Sequence, residues 1–127
     1  MFVSILKSKI HMATVTDAQI HYAGSITIDS HLMEQANLIP FEKVMVVSVE
    51  SGERLQTYVI AGKRGSGEIC INGAAARKII KGDTVIIMSF VILDEEEAKI
   101  FRPAVVLVDR KNKIAGHMKK SDSSDEC

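Results

Sequence analysis

"KVMVVSVESGERLQTYVIA" (residues 43–61) is two extended runs on either side of a Ser51-Gly52 pair. In a strand, successive side chains point to opposite faces, and Ser-Gly is a turn dipeptide, so the stretch reads as a β-hairpin. It is the clearest hairpin signal in the chain, and it sets the scale for the rest: short strands closed by turns. N-terminal to it, "SILKSKIHMATV" (4–15) is a first extended run, and "TDAQ" (16–19) reads as a turn opened by Thr16 or Asp17 as a cap. "QIHYAGSITID" (19–29) spaces Ile20, Tyr22, Ile26 and Ile28 as a half-buried strand, interrupted by Ala23, Gly24 and Ser25. "DSHLMEQANL" (29–38) has Leu32, Met33, Ala36 and Asn37 at helical spacing behind a capping Asp29 or Ser30, with Pro40 as the stop.

C-terminal to the hairpin, "EICI" (68–71) is a short strand and "NGAAARKI" (72–79) looks like a helix start. "DTVIIMSFVIL" (83–93) and "PAVVLVD" (103–109) supply the closing strands. The apolar run 84–93 is half the ~20 residues of a membrane span, so it reads as a strand buried on both faces. Many short strands with closely spaced turns suggest a small barrel or sandwich. The expected organisation is one domain over 1–109 and a mobile polar tail, "RKNKIAGHMKKSDSSDEC", over 110–127.

Composition agrees. Of 127 residues, 46% are hydrophobic but only 5% aromatic, with no Trp, so the core must come from Ile, Val, Leu and Met. Sixteen basic and 16 acidic side chains cancel, which leaves no positive field for nucleic acid and, with the apolar content, fits self-association. The two cysteines, Cys70 and Cys127, form no disulfide framework or metal spacing, and the N-terminus has too short an apolar run for a signal peptide. These features point to a soluble cytoplasmic protein without a membrane segment.

Three stretches could carry chemistry. By parity Arg54, Gln56 and Tyr58 share one strand face and Thr57 takes the other; the plain reading is a solvated sheet face, the functional one a carboxylate-binding guanidinium beside a proton-passing phenol. "INGAAAR" (71–77) is either a simple Asn-Gly turn before a packed helix, or an anion site on the N–H groups of Gly73, Ala74 and Ala75. Lys9 and His11 share a face of the first run, where a surface lysine and a structural histidine are the ordinary readings. No metal-ligand cluster appears, and "KRGSGE" (63–68) lacks the rest of a phosphate loop.

Taken in order, "KIHMATVTDAQIHYAGSITID", "SGERLQTYVIAGKRGSG", "INGAAAR", "GDTVIIMSF" and "DEEEAKIFRP" closely resemble the pyruvoyl-dependent aspartate 1-decarboxylases, in register over about residues 1–105. The resemblance implies a six-stranded double-psi β-barrel with a few short helices, assembled as a homotetramer with sites at subunit interfaces. It implies self-cleavage at Gly24-Ser25 into a β chain of residues 1–24 and an α chain of 25–127, with Ser25 becoming a covalent pyruvoyl group, so that no metal and no pyridoxal phosphate is needed. A glycine at 24 suits a backbone held in a conformation that a Cβ would resist. The pyruvoyl ketone then takes the amine of L-aspartate, and the products are carbon dioxide and β-alanine, the precursor of pantothenate. By the same resemblance, Lys9 and Arg54 are expected to face the substrate carboxylates, Tyr58 to give the proton, and Thr57 to touch both cleavage site and substrate. Asn72 is expected to orient the imine or its carbonyl, with backbone contacts from Gly73, Ala74 and Ala75. A maturation factor is an optional partner. The rival reading is a non-catalytic β-barrel oligomer that binds a small acid or a protein partner.

Overall fold

The computed structural model describes residues 1–118 of the chain. They form nine strands, two short helices and a 3₁₀ turn: β1 (Phe2–Thr14), β2 (Asp17–Gln19), β3 (Ser25–Asp29), α1 (Ser30–Gln35), β4 (Lys43–Ser48), β5 (Arg54–Gly62), β6 (Ile69–Asn72), the 3₁₀ turn (Gly73–Arg77), β7 (Thr84–Asp94), α2 (Glu95–Ile100), β8 (Ala104–Val108) and β9 (Ile114–His117). The mainly β class with a few short helices is what the residues build. The strand order is β2-β6-β3-β5-β4-β7-β1-β8-β9. β1 with β8, β2 with β6 and β3 with β5 pair in parallel and the other neighbours antiparallel, so the chain crosses over repeatedly to reach its partners.

The hairpin forms as its pattern requires. β4 and β5 pair antiparallel, Gly52 takes φ +73° in the connection, and Val44 and Val46 enter the core opposite Thr57 and Leu55. The core is almost wholly aliphatic: Ile10, Ile26, Ile28, Ile69, Ile71, Ile87, Val59 and Val106 are fully enclosed. Each such side chain contributes roughly 1.5–3 kcal/mol by leaving water.

Several sequence expectations need correction. Residues 16–19 are not simply a turn: Asp17–Gln19 forms β2, held in register by Ala18 opposite Ile71. Ile20 and Tyr22 do not continue a strand into Ile26; they are exposed in a turn closed by the Tyr22 N–H donating to the Gln19 carbonyl, and β3 starts only at Ser25. Helix α1 is capped by Asp29 as expected but ends at Gln35, well before Pro40, because Asn37 adopts φ +59° and the Leu38 N–H folds back onto the Met33 carbonyl. β7 is not buried on both faces. Val85, Ile87 and Ser89 point inward, but Phe90 and Ile92 are 49% and 71% exposed, beside the exposed Phe2 of β1.

The expected tail is corrected over residues 110–118. β9 pairs antiparallel with β8, and Asn112 is only 1% exposed. Its Oδ1 accepts from the Thr14 N–H, while its Nδ2 donates to the Thr14 and Gly67 carbonyls. A charged, aperiodic stretch therefore ties the end of β1 to the β5–β6 connection. The rest of that expected tail, 119–127 with Cys127, lies outside the described residues.

Asp29 does similar work on the other side. Its carboxylate accepts from the N–H groups of His31, Gly65 and Gly67. Burial pushes this carboxyl up, but the Gly67, Gly65 and His31 N–H bonds outweigh burial and hold its pKa below the ordinary value.

Asn112→Ala strips three backbone groups of their partner and is expected to cost about 2–3 kcal/mol in chemical denaturation. Because the Asp29 pKa is lowered by folding, its contribution is complete above the unfolded value of about 3.9 and is lost as pH falls through the lower folded value. Unfolding curves of the Asp29→Asn chain should therefore depend less steeply on pH below about 4 than those of the parent.

Candidate active site

The antiparallel ladder of β3 and β6 sorts its side chains by face. Ser25 lies opposite Asn72, Ile26 opposite Ile71, Thr27 opposite Cys70 and Ile28 opposite Ile69. The period of two sends the four isoleucines into the core and leaves Ser25, Thr27, Cys70 and Asn72 together on the other face. These polar groups are bonded to one another. Asn72 Nδ2 donates to Ser25 Oγ and to Thr27 Oγ1, each at 3.0 Å, and the Cys70 thiol donates to Asn72 Oδ1 at 3.3 Å. Burial pushes the Cys70 thiol up, with the Asp17 and Glu68 carboxylates adding to the shift, which keeps it a protonated donor at neutral pH. Asn72 stands at the cap position of the 3₁₀ turn but makes no capping bond there; its amide is committed to the ladder instead.

Ser25 is 1% exposed, at the point where loop becomes strand. Its Oγ accepts from Asn72 and its O–H faces the Ala23 carbonyl at 3.4 Å. The backbone constraint at this junction is not where the sequence placed it. Gly24 is outside the left-handed region, and a Cβ there would meet nothing within 4 Å. Gly73 carries the constraint: its φ is +78°, and a Cβ would sit 2.7 Å from Gly24 Cα, 2.9 Å from Gly24 N and 3.0 Å from the Tyr22 carbonyl. The Asn-Gly turn is thus pressed onto the Gly24 backbone, and only a residue without a side chain permits that approach.

An open basin of about 490 Å³ lies over this junction, bordered by Gly24, Thr57, Tyr58, Asn72, Ala74 and Ala75 among others. Thr57 and Tyr58 project to opposite sides of β5, yet both border the basin. Tyr58 also rests against Phe41, with ring centroids 6.2 Å apart. A larger hollow of about 650 Å³, near Met12, Glu50 and Arg110, contains none of these groups, so size alone does not select the site.

Of the expected residues, Ser25, Gly73, Lys9 and Arg54 do not border the basin. Lys9 is 8% exposed in β1, between Met88 of β7 and Val105 of β8, and β4 and β7 separate β1 from β5. Arg54 is exposed at the first position of β5. Ala74 and Ala75 line the basin, but from a five-residue 3₁₀ turn rather than an α-helix. Sequence reasoning placed Gln56 on the Arg54 and Tyr58 face without a role, and passed over Leu55 and Lys78 at the rim and Thr27 and Cys70 beneath it. Lys78 follows Ala75 at helical spacing, the one signal that could have found it, and its Nζ lies 3.4 Å from Glu53. Among the described residues no group of three His, Cys, Asp or Glu side chains could hold a metal, and no helix is long and apolar enough to cross a membrane.

The family model for aspartate decarboxylase matches residues 1–115. Similar curated proteins include aspartate 1-decarboxylase of Syntrophus aciditrophicus, 64% identical over 87% of this chain and 95% of its own length. Those of Pelotomaculum thermopropionicum and Acetivibrio thermocellus are each 60% identical over 90% of this chain, covering 86% and 90% of theirs. The computationally designed msDPBB_sym2 protein aligns at 16% identity with a TM-score of 0.43, over 68% of this chain and 99% of that one, a likeness too slight to add to the assignment. The match across the hairpin, the β3–β6 ladder and the Asn-Gly turn together places the chain in the aspartate decarboxylase family of enzymes.

Proposed function

We propose that the chain cleaves itself between Gly24 and Ser25, converts Ser25 to a pyruvoyl group, and then decarboxylates L-aspartate to β-alanine as a cytoplasmic homotetramer. The observation that carries this reading is the environment of Ser25: a buried hydroxyl, bonded by Asn72, at a loop-to-strand junction against which Gly73 is packed.

Cleavage needs the Ser25 oxygen to add to the Gly24 carbonyl carbon. The C–N bond then breaks, leaving an ester on Oγ and a free amine at residue 25. Loss of the Ser25 α-proton expels the Gly24 carboxylate and forms a C=C bond. Water hydrolyses the resulting enamine, releasing ammonia and leaving the keto group, so atoms and electrons balance without an external oxidant. Burial keeps bulk water from the ester, and the Asn72 N–H holds the oxygen in place while its own proton faces Ala23. The residues present fit such a group, because Gly24, Ala74 and Ala75 bring little or no side chain to the basin beside Asn72, the partner of Ser25.

When formed, the pyruvoyl group supplies a ketone for the substrate amine and an adjoining carbonyl that accepts electrons as carbon dioxide leaves. The chain's own groups do the rest. Asn72 presents its amide toward residue 25, and Thr57 and Tyr58 border the space a substrate would fill, with the Tyr58 hydroxyl as proton donor. Lys9 and Arg54 are assigned to the two substrate carboxylates. Since neither borders the basin of its own protomer, the assignment requires a neighbouring subunit to bring cations to the site. The exposed Phe2, Phe90 and Ile92 offer an apolar surface for that assembly.

Intact mass under denaturing conditions, before and after warm incubation, is expected to show pieces of residues 1–24 and 25–127. Ser25→Ala should leave one whole, inactive chain; cleavage or turnover by that variant would overturn the mechanism. Gly73→Ala forces a Cβ to within 2.7 Å of Gly24 Cα and so should slow cleavage at least about tenfold by displacing the scissile segment. The same mass assay, followed over time, reads that rate.

A further inference from the structure

The Asn72 side chain is over-determined in a way the proposed chemistry does not by itself require. A primary amide has two N–H donors and an oxygen acceptor, and rotation about its last torsion exchanges the two ends. Here both N–H groups have acceptors, Ser25 Oγ and Thr27 Oγ1, while the oxygen has the Cys70 thiol as donor. Three contacts at fixed divergence leave that torsion one setting.

The contacts differ in what they can do. The Ser25 bond involves the very oxygen that the proposed cleavage consumes, so it cannot hold the amide afterwards. The other two come from Thr27 and Cys70, which face each other across the ladder, two residues from Ser25 and Asn72 and on the same face. Cys70 is buried and Thr27 is half-buried, so water competes little for either bond. No reacting atom needs either residue directly.

We infer that Thr27 and Cys70 are positioning residues, which aim the Asn72 amide at residue 25 before cleavage and keep it aimed once the serine hydroxyl is gone. The inference rests on the proposed role of Asn72 in maturation. It adds a requirement of its own: position 27 must accept a hydrogen bond and position 70 must donate one. Valine in place of Thr27 keeps the shape without the acceptor, and alanine in place of Cys70 removes the donor. Serine at either position keeps the function with less bulk.

The test follows cleavage of the full-length chain by intact mass for Thr27→Val, Cys70→Ala, Thr27→Ser and Cys70→Ser, with thermal unfolding measured alongside. Thr27→Val and Cys70→Ala are each expected to slow cleavage about fivefold, the effect of one lost hydrogen bond, and the two serine variants to restore most of the rate. Parental rates in Thr27→Val and Cys70→Ala would overturn the inference. So would slowing that serine does not rescue, since that pattern means packing alone.

A second readout does not depend on cleavage. In the Ser25→Ala chain, the Asn72 side-chain amide protons should exchange slowly and lie away from the pair of NMR shifts of a free primary amide. Adding Thr27→Val or Cys70→Ala should speed that exchange and move the pair toward the free values; an unmoved pair would again overturn the inference. A parent chain that never cleaves would remove the proposed function, and these signals would then decide the positioning claim by themselves.

Discussion

The register of β3 against β6 is the constraint on which the site depends. With Ser25 opposite Asn72, every second residue of both strands enters an isoleucine core, and the residues between them meet as Ser25, Asn72, Thr27 and Cys70. A slip by one residue would send the hydroxyls and the amide into the hydrocarbon and the isoleucines outward. The loss of four enclosed isoleucines, at roughly 1.5–3 kcal/mol each, far exceeds what any hydrogen bond in the polar set could return. Apolar burial therefore holds Ser25 in place, and the hydrogen bonds refine the aim of its hydroxyl.

The second determinant is steric. The turn after β6 brings Gly73 onto the Gly24 backbone at distances no Cβ allows. The proposed self-cleavage asks one peptide to sit still in a loop, where backbone is ordinarily mobile. Here the loop's last residue is pinned between a strand start and a glycine surface. The freedom of glycine serves close approach at 73 rather than unusual torsion at 24.

Polar side chains far along the sequence hold this arrangement together. Asp29 gathers three backbone N–H groups from helix α1 and the β5–β6 connection, and Asn112 binds that same connection to the end of β1. Both act on the segment leading into β6, hence on the register of the ladder. Phe2, Phe90 and Ile92 are exposed on the outside, and Lys9 and Arg54 lie away from the basin.

Alternation and turn residues in the sequence determined the hairpin at 43–61, the aliphatic core, the Asp29 cap and most strand positions, because these follow from local periodicity. The ordered motifs determined the family, and with it Gly24, Thr57, Tyr58 and Asn72, which border one basin, and Ser25, which Asn72 bonds. Tertiary structure alone decided that β2 and β9 are strands, since three or four residues become strands only through a partner that local pattern cannot name. It also decided that Gly73 bears the steric constraint and that Thr27 and Cys70 fix the Asn72 amide. The Gly73–Gly24 and Thr27–Asn72 contacts join residues more than 40 positions apart in the chain, and are set by packing and invisible to any window of sequence.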